Sequence, residues 1–416
     1  MKKIAIIGSG ISGLTAAYYL NKQHDICLYE ADSRLGGHTA TKAINVNDKN
    51  YLIDTGFIVF NDWTYPNFIK LLNELGVDSQ PTDMGFSVFN PSTNFEYAGT
   101  NLATLFAQKR NVFSLLHWKM LHDIVRFNKE AVADFEAGNL EPNESLGHYL
   151  ARKKYSAVFS ERYLIPMGSA IWSATQDDML DFPLQFFIRF FKNHGLLNVV
   201  NRPQWRVIKG GSSAYIAPLI KSFETKIKLN SAVIKIIRHD AKVEIMTASG
   251  SDFYDDVVIA CHSVQALAML SDPTLGEQAI LSAFNYRKND VVMHTDTGLL
   301  PRRKSTWSSW NYLLQADTQQ QPILTYSMNI LQSIKSDVEF CVTLNATHKI
   351  DAVKILGRYE YEHPVFNQAA ISAQEKWQNI NGVKRTWFCG AYWFNGFHED
   401  GVNSALRVVK ALGANT

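Results

Sequence analysis

The residue types best suited to chemistry stand at the start of the chain. Gly8, Gly10 and Gly13 form a GxGxxG run directly after the β-branched stretch 4–7, and Glu30 follows twenty positions beyond Gly10. Gly8 turns the chain, Gly10 lets the backbone approach a pyrophosphate, and Gly13 lets a helix pack closely on a strand. Ile11 and Ser12 open that helix, whose free N–H groups and positive dipole end suit phosphate. Glu30 can accept hydrogen bonds from ribose hydroxyls and would repel a 2′-phosphate, so the pattern predicts an adenosine dinucleotide without that group.

Holding these groups in place requires a strand over 4–7, a helix over 14–20 and a second strand over 26–29. Glu30-Ala31-Asp32-Ser33-Arg34-Leu35-Gly36-Gly37-His38 then leads into a second paired-glycine turn, with Arg34 placed to face the pyrophosphate. A strand and turn follow at Ile53-Asp54-Thr55-Gly56-Phe57. Further along, Gly210 and Gly211 precede a helix, 227–237 and 242–247 are strand-like, and 255–260 (DDVVIA) is a short buried strand. The chain closes with Trp387-Phe388-Cys389-Gly390-Ala391-Tyr392 and Gly396-Phe397-His398-Glu399-Asp400-Gly401-Val402, read as a strand, a glycine-rich loop and a terminal helix.

The run from acid through arginine to paired glycines resembles the flavin amine oxidase superfamily, which binds FAD, whereas NAD enzymes usually lack that run. The resemblance implies an α/β fold: a discontinuous Rossmann-like FAD-binding domain over 1–78, 205–265 and 382–416, and an α+β substrate domain over 79–204 and 266–381. It implies non-covalent FAD, with Thr55, Gly56 and Phe57 near the flavin, Val233 facing the adenine, and Gly390, Gly396, Phe397, His398 and Val402 around the closing helix. That helix is expected to face the pyrimidine edge of the flavin. The runs DTGFIVFND, RYLIPMGSAIWS and GFHEDGVNSAL are similar to a bacterial branch of predicted FAD-dependent oxidoreductases. Members of that branch are often encoded beside cyclopropane-fatty-acid-synthase-like methyltransferases, which implies a lipid.

Amine oxidation in the superfamily typically uses a lysine near flavin N5 and a cage of tyrosines. Lys288 stands one or two positions early for that role, and Phe397 takes the place of a cage tyrosine. The leading expectation is therefore two-electron oxidation of an apolar substrate such as a modified or unsaturated fatty acyl chain, by desaturation or isomerisation, with dioxygen among the acceptors. A mono- or polyamine oxidase is the alternative. A flavin-bound lipid carrier without turnover stays open as a different class. Hydride removal needs orientation and, in some cases, a base, which makes His398, His294, Asp54 and Tyr392 the catalytic candidates. Trp172, Phe187, Trp310, Asn311 and Tyr326 are the candidate substrate contacts. The phenylalanine stripe 182–191 reads first as core, and 102–132 reads as an amphipathic helix with a solvated basic face.

Composition sets the outer bounds. A chain of 416 residues, 46% hydrophobic and 19% charged, is long enough for two or three domains and excludes wholesale disorder. Its 41 basic and 39 acidic residues give no overall field favouring nucleic acid. The four cysteines are scattered, with no CxxC pair or metal-ligand spacing, so reduced thiols and no metal are expected. Lys2 and Lys3 before an apolar run superficially resemble a secretory signal, but the glycines argue against one. The expectation is cytoplasmic, with peripheral contact at the inner membrane left open.

Overall fold

The computed structural model describes residues 1–198 and 200–416. Its nucleotide half is a five-stranded sheet assembled from distant pieces of chain, in the spatial order Ile227–Lys228, Asp25–Tyr29, Lys3–Ile7, Asp256–Ile259 and Thr386–Phe388. Every neighbouring pair is parallel. Ile4, Ala5, Ile6, Val257, Val258 and Ile259 are wholly buried, because helices cover both faces. The opening helix Ile11–Leu20 lies against the closing helix His398–Ala411. The stretch expected as one strand over 227–237 divides: residues 227–228 complete the parallel sheet, and Val233–Arg238 begins an antiparallel meander with Val243–Thr247 and Gly250–Tyr254.

A second sheet of seven strands runs in the order Ile355–Val365, Asn285–His294, Cys341–Leu344, Ile323–Ser327, Trp310–Leu313, Phe86–Asn90 and Phe95–Ala98. A helical cap covers it, including Leu115–Glu136, Ile165–Trp172 and Leu184–Asn193. Ala266, Leu270, Ile280, Phe284, Ala370 and Trp377 pack into the core of the parallel sheet. We therefore place the domain boundaries nearer 285 and 366 than 265 and 382.

The expected helix over 102–132 is broken. Asn101 caps the short turn Leu102–Leu105, a 3-10 turn covers Lys109–Phe113, and the long helix begins only at Leu115. Ser114, in extended conformation, caps that helix by accepting from the His117 N–H. The phenylalanine stripe is mainly core: Phe182, Phe186, Phe187, Phe190 and Phe191 are buried around Trp172.

Candidate functional site

One cavity of about 1220 Å³ runs from the parallel sheet into the seven-stranded domain. Its nucleotide end starts at the carboxyl end of Lys3–Ile7, where Gly8 adopts φ +98° and ligands bind in open parallel sheets. A methyl group built on Gly13 would come within 1.9 Å of the Gly8 carbonyl oxygen, so this glycine serves helix-to-strand contact. On Gly10 the same methyl group would meet no atom within 4 Å and would project into open space. The opening helix has neither a side-chain cap nor an acidic residue in its first turn, which leaves its N–H groups for a ligand. Ile11 and Ser12 line the cavity there, and Gly37 packs on Gly10.

Glu30 and Ala31 line the same end, and Val233 faces it from the meander. One Glu30 oxygen accepts from the Ser9 N–H (2.8 Å) and Ser9 Oγ (2.5 Å), the other from the Asp32 N–H (2.8 Å). Gly36, Gly37, His38, Gly56 and Phe57 continue the wall, followed by Gly390, Tyr392, Gly396, Phe397 and His398 from the far end of the chain. Tyr392 Oη and Trp172 Nε1 are buried polar atoms on cavity-lining residues, and neither has a protein partner. An uncapped helix end, an open Gly10, a ribose-ready acid and unpaired polar atoms fit an adenine dinucleotide carrying a flavin.

Several candidates occupy other places. Arg34 braces its own loop, donating to the carbonyls of Gly37 (2.7 Å) and Thr39 (3.1 Å), and does not line the cavity. Thr55 lies behind the wall with Tyr361 Oη at 2.8 Å, Val402 is core, and Phe187 is buried within the aromatic cluster. Asn311 is satisfied by Ser87, Ser308 and Thr325 and shapes the loop at 308–310. Trp172, Trp310 and Tyr326 do reach the cavity.

The catalytic candidates separate in the same way. Asp54 is wholly buried away from the cavity and accepts from Thr41 Oγ1 (2.6 Å) and from Ser212 N–H and Oγ (both 2.9 Å). Burial lifts its carboxyl to about 6 against those hydrogen bonds. It ties the 53–57 turn to the Gly210–Gly211 turn, a structural role. His294 is likewise buried, with Nε2 on Thr343 Oγ1 (2.7 Å) and Nδ1 accepting from the Asp296 N–H (3.0 Å). His398 borders the cavity, but its ring stacks on Phe57 at 3.6 Å and its Nε2 meets Tyr215 Oη at 2.9 Å. Burial, then His38, lowers it to about 3, so the ring is neutral near neutral pH and braces Phe57 from behind.

The sequence reading named His38 as a cofactor contact but missed the polar cluster it joins where the two halves of the cavity meet. His38, His262, His363 and Glu362 all line the wall, with His38 and His363 ring centres 5.7 Å apart. His38 Nε2 donates to the Glu362 carbonyl (3.1 Å), and His262 Nδ1 lies 3.1 Å from a Glu362 carboxylate oxygen. Burial lowers His38 to about 3 and His363 to about 4. The Asn345 amide donates to Asn289 Oδ1 (3.0 Å), which turns Asn289 Nδ2 toward His363 Nδ1 (3.3 Å). That polarity makes Nδ1 an acceptor and places the proton of the neutral ring on Nε2. No local motif announces this cluster: it joins His38 and His262, which follow strands of the parallel sheet, to Glu362 and His363 of the strand Ile355–Val365.

Beyond the cluster the wall is largely apolar and aromatic, with Phe86, Trp172, Phe190, Trp310, Tyr326 and Phe366. Among the described residues no lysine lines the cavity. Lys288 points outward and pairs with Glu360 at 2.9 Å.

The pattern described as flavin containing amine oxidoreductase matches residues 11–304. A protein of Mycobacterium tuberculosis assigned as a flavin-containing monoamine oxidase, AofH, is 25% identical over 280 residues, covering 65% of this chain. The match spans 59% of that relative's own length. Wild-type putrescine oxidase bound to putrescine has a similar structure, with a TM-score of 0.69 at 13% identity, covering 99% of this chain and 98% of that one. A fatty acid isomerase from P. acnes that produces CLA gives a TM-score of 0.68 at 14% identity, with the same coverage. The mixed α/β architecture is shared with both, the cofactor is FAD, and the chain belongs to the flavin-containing amine oxidoreductase family.

Proposed function

We propose that the protein acts on an apolar substrate, a modified or unsaturated fatty acyl chain, either oxidising it by two electrons (loss of a hydride and a proton) to introduce a double bond, or moving an existing double bond with no net change of oxidation state. The observation that carries the reading is the wall beyond the histidine cluster, which is mainly aromatic, with Phe86, Trp172, Phe190, Trp310, Tyr326 and Phe366 among its side chains, and which no lysine lines among the described residues. The charged residues that line it outside the cluster and the nucleotide end, Asp83 and Arg202, are both exposed, so a protonated amine set among the aromatic side chains would leave its hydration for few polar partners, whereas an acyl chain gains from the same surface.

Bound FAD supplies a two-electron acceptor for hydride leaving carbon. Glu30 would hold the ribose, and the N–H groups from Gly10 to Ser12 the pyrophosphate. Phe57, fixed from behind by the stacked His398 ring, and Gly56 would define the floor beside the flavin. Trp310, Tyr326 and Phe190 would orient the chain and exclude water. His363 presents an Nε2 proton as a hydrogen-bond donor, and its lowered basicity keeps it neutral near pH 7. Dioxygen is the proposed final acceptor.

Anaerobic mixing of the FAD-loaded protein with candidate substrates tests the reading. Desaturation of an acyl lipid bleaches the flavin absorbance, while putrescine and monoamines leave it unchanged. Bleaching by an amine with no response to acyl lipids supports the amine oxidase reading, which the sequence relatives favour. Acyl binding with neither bleaching nor change in the lipid identifies a carrier.

A further inference from the structure

The interrupted helix region carries apolar side chains on its outside. Phe113 is 89% exposed, Leu115 86% and Leu102 74%, and Leu116 and Trp118 join them on the surface. Exposure on this scale within one short stretch marks an interaction surface.

Side-chain contacts tie the segment down. Gln108 is buried and its amide donates to the Asn94 carbonyl (2.7 Å), while Trp118 Nε1 donates to the Val112 carbonyl (2.8 Å). The Phe106 ring packs on both His117 and Trp118 at 5.1 Å. Ser114 turns the chain so that Phe113 and Leu115 project on either side of the break.

Charge selects the occupant. From Tyr97 through His122 the sequence has no Asp or Glu, and it carries Lys109, Arg110 and Lys119. All three are exposed, and none is in an ion pair among the described residues. A second copy related by a two-fold axis would set these cations against each other, whereas an anionic lipid headgroup layer complements them. Among the described residues no helix is long and apolar enough to cross a membrane. Tyr97, Gly99 and Thr100, immediately before this segment, line the cavity, so the apolar surface adjoins the proposed substrate chamber.

We propose that residues 102–119 form an interfacial docking face for an anionic lipid bilayer. Phe113, Leu115 and Leu116 enter the acyl boundary while Lys109, Arg110 and Lys119 contact headgroups. This docking does not depend on the redox chemistry proposed above.

Flotation of the FAD-loaded protein with vesicles of phosphatidylcholine, alone or mixed with phosphatidylglycerol, tests it. Wild type is expected to float with the anionic vesicles and to lose binding as salt rises. The Phe113→Asp, Leu115→Asp double variant should bind about tenfold more weakly or worse, at unchanged flavin content. Lys109→Ala and Arg110→Ala should each weaken binding to anionic vesicles about fivefold. The proposal is overturned if wild type floats with neither vesicle, or if the double variant floats as well as wild type. It is also overturned if light scattering shows a wild-type dimer that the double variant dissolves while vesicle binding is absent, which assigns the face to self-association. Loss of lipid oxidation with docking intact would instead count against the redox reading.

Discussion

Gly10 and Gly13 lie three positions apart, and a side chain has opposite consequences at the two. Gly10 sits in ordinary extended backbone (φ −64°, ψ 176°) with open space where a Cβ would point. Gly10→Val should therefore leave the fold intact by circular dichroism while flavin content falls about tenfold or more, because the side chain displaces hydrogen-bonded phosphate. Gly13→Ala instead drives a methyl into the Gly8 carbonyl and should destabilise the protein by about 3 kcal/mol or more in denaturant unfolding, whether or not FAD is added. Equal FAD loss with unchanged stability in both variants would contradict this division of labour. These two glycines were readable from spacing, because the motif is local. Arg34 was misplaced because its type and position suit a pyrophosphate, and only the folded loop shows its guanidinium spent on the carbonyls of Gly37 and Thr39. His363 was invisible because its meaning depends on His38 and Glu362, and the latter pair are 324 positions apart in sequence.

At the scale of elements, the closing helix His398–Ala411 carries its own titration. Asp400 accepts from the N–H groups of Phe397 (2.9 Å) and Asn395 (3.2 Å), yet burial, with added repulsion from Glu399, raises its carboxyl from 3.8 to about 7. A carboxyl raised in the folded state contributes stability below its unfolded value, and that contribution is lost as pH climbs through the folded value. Asp400→Asn removes the effect, so its stability relative to wild type should improve by roughly 2–4 kcal/mol between pH 4 and pH 7. Parallel denaturant titrations of both proteins check it, and a difference independent of pH would place Asp400 in a polar, solvated setting. The helix itself was legible from its glycine-rich entry and apolar spacing. The break at Ser114 was not, since residues 102–132 keep an apolar rhythm and only a single capping serine interrupts it. The same rhythm concealed that its apolar side chains face outward.

For the whole molecule, three remote stretches of chain form the nucleotide end of one cavity, and the seven-stranded sheet with its helical cap forms the rest. The nucleotide end was legible because glycine turns and short buried strands are local signals. The substrate end was not, because its wall is a product of strand pairing and cap packing: Trp310 reaches the cavity while neighbouring Asn311 is spent on the scaffold. The most direct measurement is mass spectrometry of an anaerobic single turnover, in which FAD-loaded protein is mixed with an equimolar unsaturated or methylated acyl lipid beside an equimolar amine. The account predicts an acyl product two hydrogens lighter, or of equal mass with its double bond moved, and an unchanged amine. Recovery of the amine as its carbonyl product with the acyl lipid untouched would contradict it.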